Sequence, residues 1–376
     1  MSYHSCLDGA TRRGAALIIV VVALAVLGAL AAGVFTVAWR ENRSSQNFIE
    51  RVRALGAAEH GVYTAVAPDR WHADWNAMRP LALLSSTSER LGDGASVDTH
   101  VWKLTPWSAL AVSDGSASAG AALARRRVAL LLAMRAPAVW RGAAIVTRQG
   151  VALRDGSSVS GIDASASDDC PPTDSTVAAI AVPTDATVDT AACPPTHCLT
   201  GSPPVAITSR AASPDTYEQF GQVDRSFLVN SAVSLADGTT MSPQPVLNEM
   251  GDCDGDAPGN LGDPLRVFGP ESPCASRFTL RHADGDLHIS GGAGQGMLLV
   301  DGDLTLANGA LFTGIVIARG AVRLEDASRL DGMVLATRVA LSGTSAIRYS
   351  SCAVNRSLVA GARPIPALGQ SWTEMF

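Results

Sequence analysis

Residues 15–39 read AALIIVVVALAVLGALAAGVFTVAW, an uncharged stretch in which Thr36 is the one polar side chain. As a helix it is about 37 Å long, enough to cross the roughly 30 Å hydrocarbon core of a bilayer. Buried helices of soluble domains seldom stay uncharged for so long, and the apolar region of a secretory signal is shorter and precedes a small-residue cleavage site. The stretch therefore predicts a retained transmembrane helix.

The helical pattern continues beyond the apolar stretch. Phe48, Val52, Leu55, Val62 and Val66 recur at spacings of three, four and seven residues, with charged residues between them. Pro68 ends this pattern. The sequence predicts one helix over 15–67, about 80 Å long, with residues 40–67 as its amphipathic part. A membrane anchor followed by a separate amphipathic helix is the alternative.

The composition and charge of the chain exclude wholly disordered proteins and argue against nucleic-acid-binding proteins. The chain has 376 residues, of which 47% are hydrophobic and 17% charged, and its formal net charge is −6. This apolar content excludes a wholly disordered chain. The scattered charges and net acidity give no basic surface for nucleic acid, so we expect no nucleic-acid partner.

Residues 68–137 predict a small antiparallel β region that lies on the helix. Val97, Thr99, Val101 and Lys103 alternate as strand residues do, and a Gly/Ser/Ala turn precedes the triplet Arg125–Arg127. We interpret the triplet as a solvated strand edge that discourages aggregation, with a lipid-headgroup or partner contact as the alternative.

The C-terminal third contains a regular sequence repeat. Met297, Ile315 and Met333 begin three equally spaced copies, and glycines mark the corners between their short apolar strands. The segment IVTRQGVALRDGSSVSGI, residues 145–162, is a further copy with the same apolar offsets as the copy that begins at Met333. Short strands at a near-constant period predict a β-solenoid, in which each coil buries its apolar side against its neighbours.

The predicted fold class is α+β and mostly β: a long N-terminal transmembrane and amphipathic helix, a small antiparallel β region, and a C-terminal β-solenoid with an inserted disulfide-rich lobe. The solenoid comprises a first coil over 138–162 and further coils over 281–352. Between them, residues 163–280 are rich in Cys, Pro and Ser and are interpreted as an irregular insertion. Residues 353–376 are left as a C-terminal tail.

The cysteines that follow Gly14 are even in number and predict disulfides in an oxidising compartment. The candidates are Cys170, Cys193, Cys198, Cys253, Cys274 and Cys352. The preferred pairs are Cys253 with Cys274 and Cys170 with either Cys193 or Cys198, while Cys352 joins the solenoid to the insertion. Cys193 and Cys198, with His197 between them, are alternatively half of a zinc site, although no second half follows.

Asp252, Asp254 and Asp256 form a D-x-D-x-D run with the oxygen density of a calcium loop. Ala257 and Asp263 replace the Gly and Glu that an EF-hand has at its sixth and twelfth positions. A solvated acidic turn is therefore the default interpretation, with calcium as the alternative, and we expect no other cofactor. The glycine-rich run that ends at Gly296 lacks the Lys and Ser/Thr of a phosphate loop, and no catalytic motif is present, so we expect no enzymatic activity.

The residues before the apolar stretch resemble a type IV prepilin leader. Thr11-Arg12-Arg13-Gly14 directly precedes Ala15. In that family a membrane-embedded aspartic peptidase cuts after the glycine, which implies a leader over 1–14, with the basic pair Arg12 and Arg13, and a mature N-terminus at Ala15. Most pilins carry Glu at the fifth mature position, where this chain has Ile19. In lacking this Glu, the chain resembles the tip-located minor pseudopilin of type II secretion and PilX-type minor pilins.

Segments of the C-terminal region resemble PilX N-terminal-domain-containing pilus assembly proteins. They are NLGDPLRVFGPESPCASRF at 260–278, HADGDLHISGGAGQGMLLVDGDLTLANGALFTGIVIARGAVRL at 282–324 and IRYSSCAVNRSL at 347–358. The resemblance implies a non-enzymatic minor pilin or pseudopilin that presents its β-solenoid head. The alternatives are a permanently anchored envelope adhesin or scaffold and, ranked below it, a glycan-active β-helix enzyme.

The implied partners are other minor pilins or pseudopilins, the prepilin peptidase, an inner-membrane assembly platform and membrane lipid. The implied location is the bacterial inner membrane, crossed once, with the C-terminal domain periplasmic or on the filament surface. Arg40, Arg43, Arg51 and Arg53 follow the span and favour the opposite orientation by the positive-inside rule. We place the C-terminal domain outside the cytoplasm because long domains translocate largely regardless of charge and because the cysteines favour an oxidising compartment.

Overall fold

The computed structural model describes residues 11–66, 81–105, 108–119, 122–167, 170–190, 198–255, 257–366 and 372–375. Its first element is α1 (Thr11–Val66), a single helix of 56 residues. The apolar stretch and its amphipathic continuation therefore form one uninterrupted element, and Pro68 lies outside the described residues. The Thr36 hydroxyl donates a hydrogen bond to the Gly33 carbonyl at 2.8 Å, which satisfies the one polar side chain of the apolar stretch.

The antiparallel sheet expected after the helix is present. Its first strands follow one another as a meander: β1 (Leu83–Arg90), β2 (Ala95–Thr105), β3 (Ser108–Ala119) and β4 (Ala122–Arg135). One face of the sheet, which includes Val101, Ala111 and Val128, is buried with Ala58 and Val62 of α1 in a common apolar cluster. Burial lowers the pKa of Lys103, which lies on this face.

Helix and sheet approach each other through small residues. A Cβ at Gly115 would collide with the carbonyl oxygen of Ala54, and one at Gly61 would collide with the hydroxyls of Thr99 and Ser113. These two hydroxyls are 2.9 Å apart and hydrogen-bond to each other, so the polar pair beneath the helix is satisfied. The backbone of α1 therefore lies almost directly on the sheet.

The central part of the chain contains short strands. In chain order they are β5 (Ala143–Thr147), β6 (Gly150–Leu153), β7 (Ser158–Ser160), β8 (Ala178–Val182), β9 (Thr187–Asp189), β10 (Leu199–Thr200), β11 (Val205–Ile207), β12 (Gln219–Phe220), β13 (Val223–Asp224), β14 (Val233–Leu235), β15 (Thr239–Met241), β16 (Thr279–Ala283), β17 (Leu287–Ser290), β18 (Ala293–Val300), β19 (Leu304–Ala307), β20 (Leu311–Ala318), β21 (Ala321–Leu324), β22 (Arg329–Ala336), β23 (Arg338–Leu341) and β24 (Ala346–Arg348). Short helices connect β11 to β14 and are α2 (Ser209–Ala212), α3 (Asp215–Glu218) and α4 (Arg225–Ser231).

Most of these strands form two parallel sheets, which we call the parallel stack. Within the described residues, the larger sheet has the order β10-β7-β24-β22-β20-β18-β16-β14, with β5, β8 and β11 attached beside β22. The smaller sheet has the order β15-β17-β19-β21-β23-β6-β9. The sequence repeat is visible in the register, since Met297 pairs with Ile315 and Ile315 pairs with Met333.

Glycines allow the long strands β18, β20 and β22 to turn at their middle. Gly296, Gly314 and Gly332 have φ angles of 131°, 140° and 150°, which side-chain-bearing residues rarely adopt. They also stack in register, and a Cβ at Gly332 would collide with the carbonyl oxygen of Gly314. The repeat therefore requires glycine at this corner for both backbone conformation and space.

The upstream copy lies at an unexpected place in the stack. Strands β5, β6 and β7 pair with β22, β23 and β24, so the earliest copy in the chain packs beside the last one. Val151 pairs with Val339 as the shared offsets predict, but Ile145 pairs with Val334 and not with Met333. The upstream copy thus has one more residue at the corner between its first two strands.

The interpretation of 163–280 as an irregular insertion needs correction. Strands β8 to β11 extend the stack beyond the upstream copy, and β14 and β15 extend it at the opposite end. Within the described part of this range, 163–177 and 242–278 contain no named strand, and α2 to α4 lie between β11 and β14. The added strands have two to five residues and lack the regular glycine spacing of the repeat, so the repeat pattern could not reveal them.

Residues 353–376 are also more than a tail. They continue α5 (Ser351–Ala360) and contain β25 (Arg363–Pro366) and β26 (Trp372–Met375), both of which pair antiparallel with β4. The Ser357 hydroxyl of α5 donates to the Gly296 carbonyl at 2.8 Å, so α5 packs on the glycine corner of the stack. The chain thus returns from the stack to complete the first sheet.

Candidate membrane and assembly surface of the N-terminal helix

The first half of α1 exposes apolar side chains all around. Leu17, Leu27 and Phe35 are among its exposed large residues, and Ile19, at the predicted fifth mature position, is 67% exposed. Among the described residues, this is the one helix that is long and apolar enough to cross a membrane by length and composition. Arg12, Arg13, Gly14 and Ala15 lie in its first turns, so the predicted cleavage site is part of the helix backbone.

The second half of α1 has two different sides. Ala54, Ala58 and Val62 are buried against the sheet. Phe48, Val52 and Tyr63 are exposed, and the 3.6-residue period places them away from the sheet-facing residues. An exposed apolar stripe on a helix outside the membrane is a surface suited to another helix.

Glu50 interrupts the sheet-facing side and is 3% exposed. Its Oε1 accepts a hydrogen bond from Arg53 at 3.3 Å, while its Oε2 has no partner within the described part of the chain. The carboxylate borders a groove of about 590 Å³ lined by Asn47, Glu50, Arg51, Leu123, Ala124, Arg125 and Arg126. This groove has no local signature in the sequence, because its two sides come from α1 and β4, which are distant in the chain.

Arg127, the last residue of the arginine triplet, does not lie at a free sheet edge. Arg127 pairs with Asp114 in β3 and with Met375 in β26, so β4 has partners on both sides there. Arg127 also forms an ion pair with Asp114 at 2.7 Å, and Arg126 forms one with Glu374 at 3.1 Å. The edge interpretation is therefore wrong for Arg127, while the Arg125 side chain is exposed.

Two disulfides join described cysteines. Cys253 is bonded to Cys274, which is the preferred local pair. Cys170 is bonded to Cys352, not to Cys193 or Cys198, and so connects the former insertion to the first turn of α5. The local pairing was wrong because the stack places residues that are 182 apart in the chain side by side.

Cys193 and Cys198 are the residues of the alternative zinc site. Cys198 is disulfide-bonded, so its sulfur is not available as a zinc ligand, and Cys193 lies outside the described residues. No group of three or more His, Cys, Asp or Glu side chains in the described ranges could hold a metal ion.

Asp163 fastens the same region beside the disulfide. Its carboxylate accepts hydrogen bonds from the backbone nitrogen and hydroxyl of Thr173 and from those of Ser351, all between 2.5 and 2.8 Å. Burial by itself would raise the pKa of this carboxyl, but the hydrogen bonds from Thr173 and Ser351 outweigh it and hold the pKa below the usual value. The carboxylate and the disulfide thus anchor the start of α5 together.

The candidate calcium loop surrounds a guanidinium. The Arg281 Nη2 donates to the carbonyls of Gly255, Ala257 and Asn260 at 2.9, 3.1 and 2.8 Å. Asp254 Oδ1 accepts from the Ala257 nitrogen at 3.3 Å, as in an acidic turn. Asp252 is exposed and Asp256 lies outside the described residues. The carbonyl oxygens at the centre of the loop are therefore occupied by Arg281.

The smaller sheet of the stack carries a second groove, of about 240 Å³, with a mixed polar lining. It is bordered by Gly238, Thr239, Asp286, Leu287, His288, Asp303, Thr305 and Arg323. Asp303 accepts from the Ala321 nitrogen at 2.8 Å and from Arg323 at 2.7 Å, and these two hydrogen bonds, in that order, lower its pKa. Asp286 likewise accepts from the Asp303 nitrogen at 2.7 Å. These carboxylates hold successive corners together, which is a structural use of the two D-G-D runs at 284–286 and 301–303.

No protein-family profile matches this chain, and no curated protein matches its sequence. Among solved structures, the crystal structure of the competence-associated pilin ComZ from Thermus thermophilus is similar to it, with 11% sequence identity and a TM-score of 0.22. The match covers 87% of this chain and 97% of that chain. The superposition is too loose to carry an argument about fold or function.

Proposed function

We propose that this chain is a minor pilin or pseudopilin-like subunit of a type IV pilus or a type II secretion pseudopilus. The observation that carries the proposal is the division of α1 within one unbroken helix. Its first half exposes apolar side chains on all sides, and its second half is packed onto a sheet through Ala54, Ala58 and Gly61. A subunit built in this way is held by lipid first and then by neighbouring helices, while its head stays attached.

The sequence around the start of α1 supports the same role. Arg12, Arg13 and Gly14 precede the apolar stretch as in a prepilin leader, and a prepilin peptidase is the partner that cuts between Gly14 and Ala15. Ile19 leaves no carboxylate at the fifth mature position, and a carboxylate in hydrocarbon is costly unless it is paired. A subunit at the tip of a filament has no subunit above it to supply that partner.

The head has a presenting role without catalysis in this proposal. We interpret the larger part of the head as a β-solenoid and the antiparallel sheet as the rest; the two parallel sheets, their glycine corners and the carboxylates that serve these corners support this interpretation. The disulfides favour the periplasm or the filament surface, since they persist in oxidising compartments. The remaining partners are other minor subunits, which contact the stripe of Phe48, Val52 and Tyr63, and an inner-membrane assembly platform.

N-terminal sequencing of the protein purified from its native host tests the proposal. We expect the mature chain to begin at Ala15 and Gly14→Val to leave the leader in place. Gly28→Val is the matched control, because Gly28 lies in the same apolar helix with no atom near its Cβ position. An N-terminus at Met1 would contradict the proposal and support a permanently anchored adhesin or scaffold.

A further inference from the structure

The β3–β4 hairpin ends, on the side of the apolar half of α1, at the paired residues Ala119 and Ala122, which we call the hairpin end. We propose that the hairpin end, through the neighbouring Leu123 and Arg125, rests on the anionic phospholipid headgroups of the membrane that α1 spans. The inference rests on the proposed membrane-spanning role of residues 15–39. It assigns a second membrane contact, made by the head itself.

Three contacts fix the direction of the sheet along the helix. Gly61 lies over Ser113, Ala54 lies against Gly115, and Arg51 shares a groove with Leu123. The N-terminal direction of α1 therefore coincides with the direction of β3 towards the hairpin end.

The hairpin end lies far along the helix from the contact at Gly115. Strand β3 continues for four residues from Gly115 to Ala119, which adds at most about 13 Å at 3.3 Å per residue. The same distance corresponds to about nine residues of α-helix. Ala119 therefore lies near the level of Asn47, in agreement with the groove that Asn47 and Leu123 share.

The gap between the hairpin end and the headgroups is small. Asn47 lies eight residues, or about 12 Å, beyond Trp39. The headgroup layer adds about 5–8 Å outside the hydrocarbon core. Transmembrane helices tilt by about 20° on average and by up to about 40°. A tilt towards the sheet lowers the hairpin end onto the headgroups, and any remaining gap is within the roughly 8–10 Å range of electrostatic attraction at physiological salt.

The charges near this end are mainly positive. The exposed arginines are Arg40, Arg43, Arg51, Arg90 and Arg125, and the exposed acids are Glu41 and Glu89, of which Glu89 lies 3.5 Å from His60. Other nearby arginines are paired within the head, Arg53 with Glu50 and Arg126 with Glu374. The Arg43 guanidinium lies 5.3 Å from the ring centre of Trp39, a residue type that prefers the membrane interface.

Leu123 adds an apolar contact to these charges. It is 61% exposed at the start of β4, next to the hairpin end. An exposed leucine beside an arginine is the pairing that an interfacial membrane contact uses, with the apolar side chain between headgroups and the guanidinium on phosphate. Anionic lipid is the occupant that the continuity with α1 favours.

Photo-crosslinking of the full chain in lipid nanodiscs tests this contact. Leu123→benzoylphenylalanine should form lipid adducts detected by mass spectrometry in discs with about one third phosphatidylglycerol. Leu131→benzoylphenylalanine is the matched control. Leu131 is also exposed on β4, but it lies about 26 Å farther from the hairpin end than Leu123 does. We expect at least about fivefold more adduct at position 123 than at position 131.

Charge variants on the same strand test the role of phosphate. We expect Arg125→Gln to lower the adduct at position 123 severalfold in anionic discs, and Arg135→Gln, at the far end of β4, to leave it unchanged. Equal labelling in neutral phosphatidylcholine discs and anionic discs would overturn the assignment of anionic lipid.

A third crosslinking position separates this inference from the membrane span. Leu27→benzoylphenylalanine should label lipid whenever α1 is inserted. Labelling at position 27 with none at 123 above the level at 131 would overturn the headgroup contact alone. No labelling at position 27 would overturn the membrane span and, with it, this inference.

Discussion

The carbonyl oxygen of Ala54 in α1 lies so close to Gly115 in β3 that a Cβ at position 115 would collide with it. The helix therefore cannot lift or rotate on the sheet without losing a close backbone contact. This couples the position of the sheet to the apolar half of α1.

We expect Gly115→Ala to destabilise the protein by about 1–3 kcal/mol, because the new methyl group meets backbone atoms of α1 that cannot move aside. Thermal unfolding followed by circular dichroism in detergent measures this effect. Gly56→Ala is the control, since Gly56 has open space in the same helix and the change should stabilise by about 0.5–1 kcal/mol. Equal effects of the two substitutions would contradict the close contact.

Asp163 makes stability depend on acid. Its folded pKa is below the ordinary value of 3.8, so the unfolded chain takes up a proton first as the pH falls. The stabilisation is complete above the unfolded pKa and is lost as the pH falls through the lower, folded pKa. We expect Asp163→Asn to lose about 1–3 kcal/mol at neutral pH and to show a smaller further loss below pH 3.8 than the wild type. Unfolding midpoints in urea across this pH range measure both quantities, and parallel curves would count against the assignment.

The two described disulfides should differ in their contributions. Cys170 and Cys352 are 182 residues apart, while Cys253 and Cys274 are 21 apart. In the chain-entropy model, loops of these sizes correspond to about 5 and about 3 kcal/mol. The paired Ser variants, Cys170→Ser with Cys352→Ser and Cys253→Ser with Cys274→Ser, test this order by urea unfolding. A larger loss from the short loop would refute the entropic explanation.

Ala327 occupies a left-handed backbone conformation with a φ of 62°, next to Asp326 at 54°. Equivalent corners use Asn308 with Gly309 and Asp155 with Gly156, in which glycine adopts this conformation without strain. We therefore expect Ala327→Gly to stabilise the protein by up to about 1 kcal/mol. Ala340→Gly, within β23, should instead destabilise it by about 0.5–1 kcal/mol, and differential scanning calorimetry distinguishes the two.

Calcium should have no effect on stability through the loop at 252–260. The guanidinium of Arg281 already donates hydrogen bonds to three carbonyl oxygens of this loop. We expect EDTA and millimolar calcium to leave the unfolding midpoint of the full chain unchanged within about 1 °C. A calcium-dependent rise that Asp252→Asn and Asp254→Asn abolish would restore the calcium interpretation.

Several elements were predictable because their signals are local. The apolar stretch of 15–39, the alternation around Val101 and the equal spacing of Met297, Ile315 and Met333 each follow from side-chain periodicity. The isolated glycine at position 115, between Asp114 and Ser116 of a strand, is also a local signal, since such a glycine indicates a close backbone approach.

Other features depend on distant segments and carry no local signal. The pairing of Cys170 with Cys352, the placement of β5 beside β22 and the return of β25 to β4 each join residues that are far apart in the chain. Short strands such as β10 and β11 have too few residues to show a period. The groove at Glu50 likewise forms only where the helix and β4 meet.

The sequence by itself determined a long apolar helix, a β-rich remainder, a glycine-punctuated repeat and a set of cysteines, since periodicity and composition act within a few residues. Only the tertiary structure decided the order of the strands in the parallel stack, the partners of the cysteines and the side of α1 that remains exposed. These depend on which surfaces bury each other, and burial of small residues such as Ala54 and Gly115 is settled by the space between distant backbones.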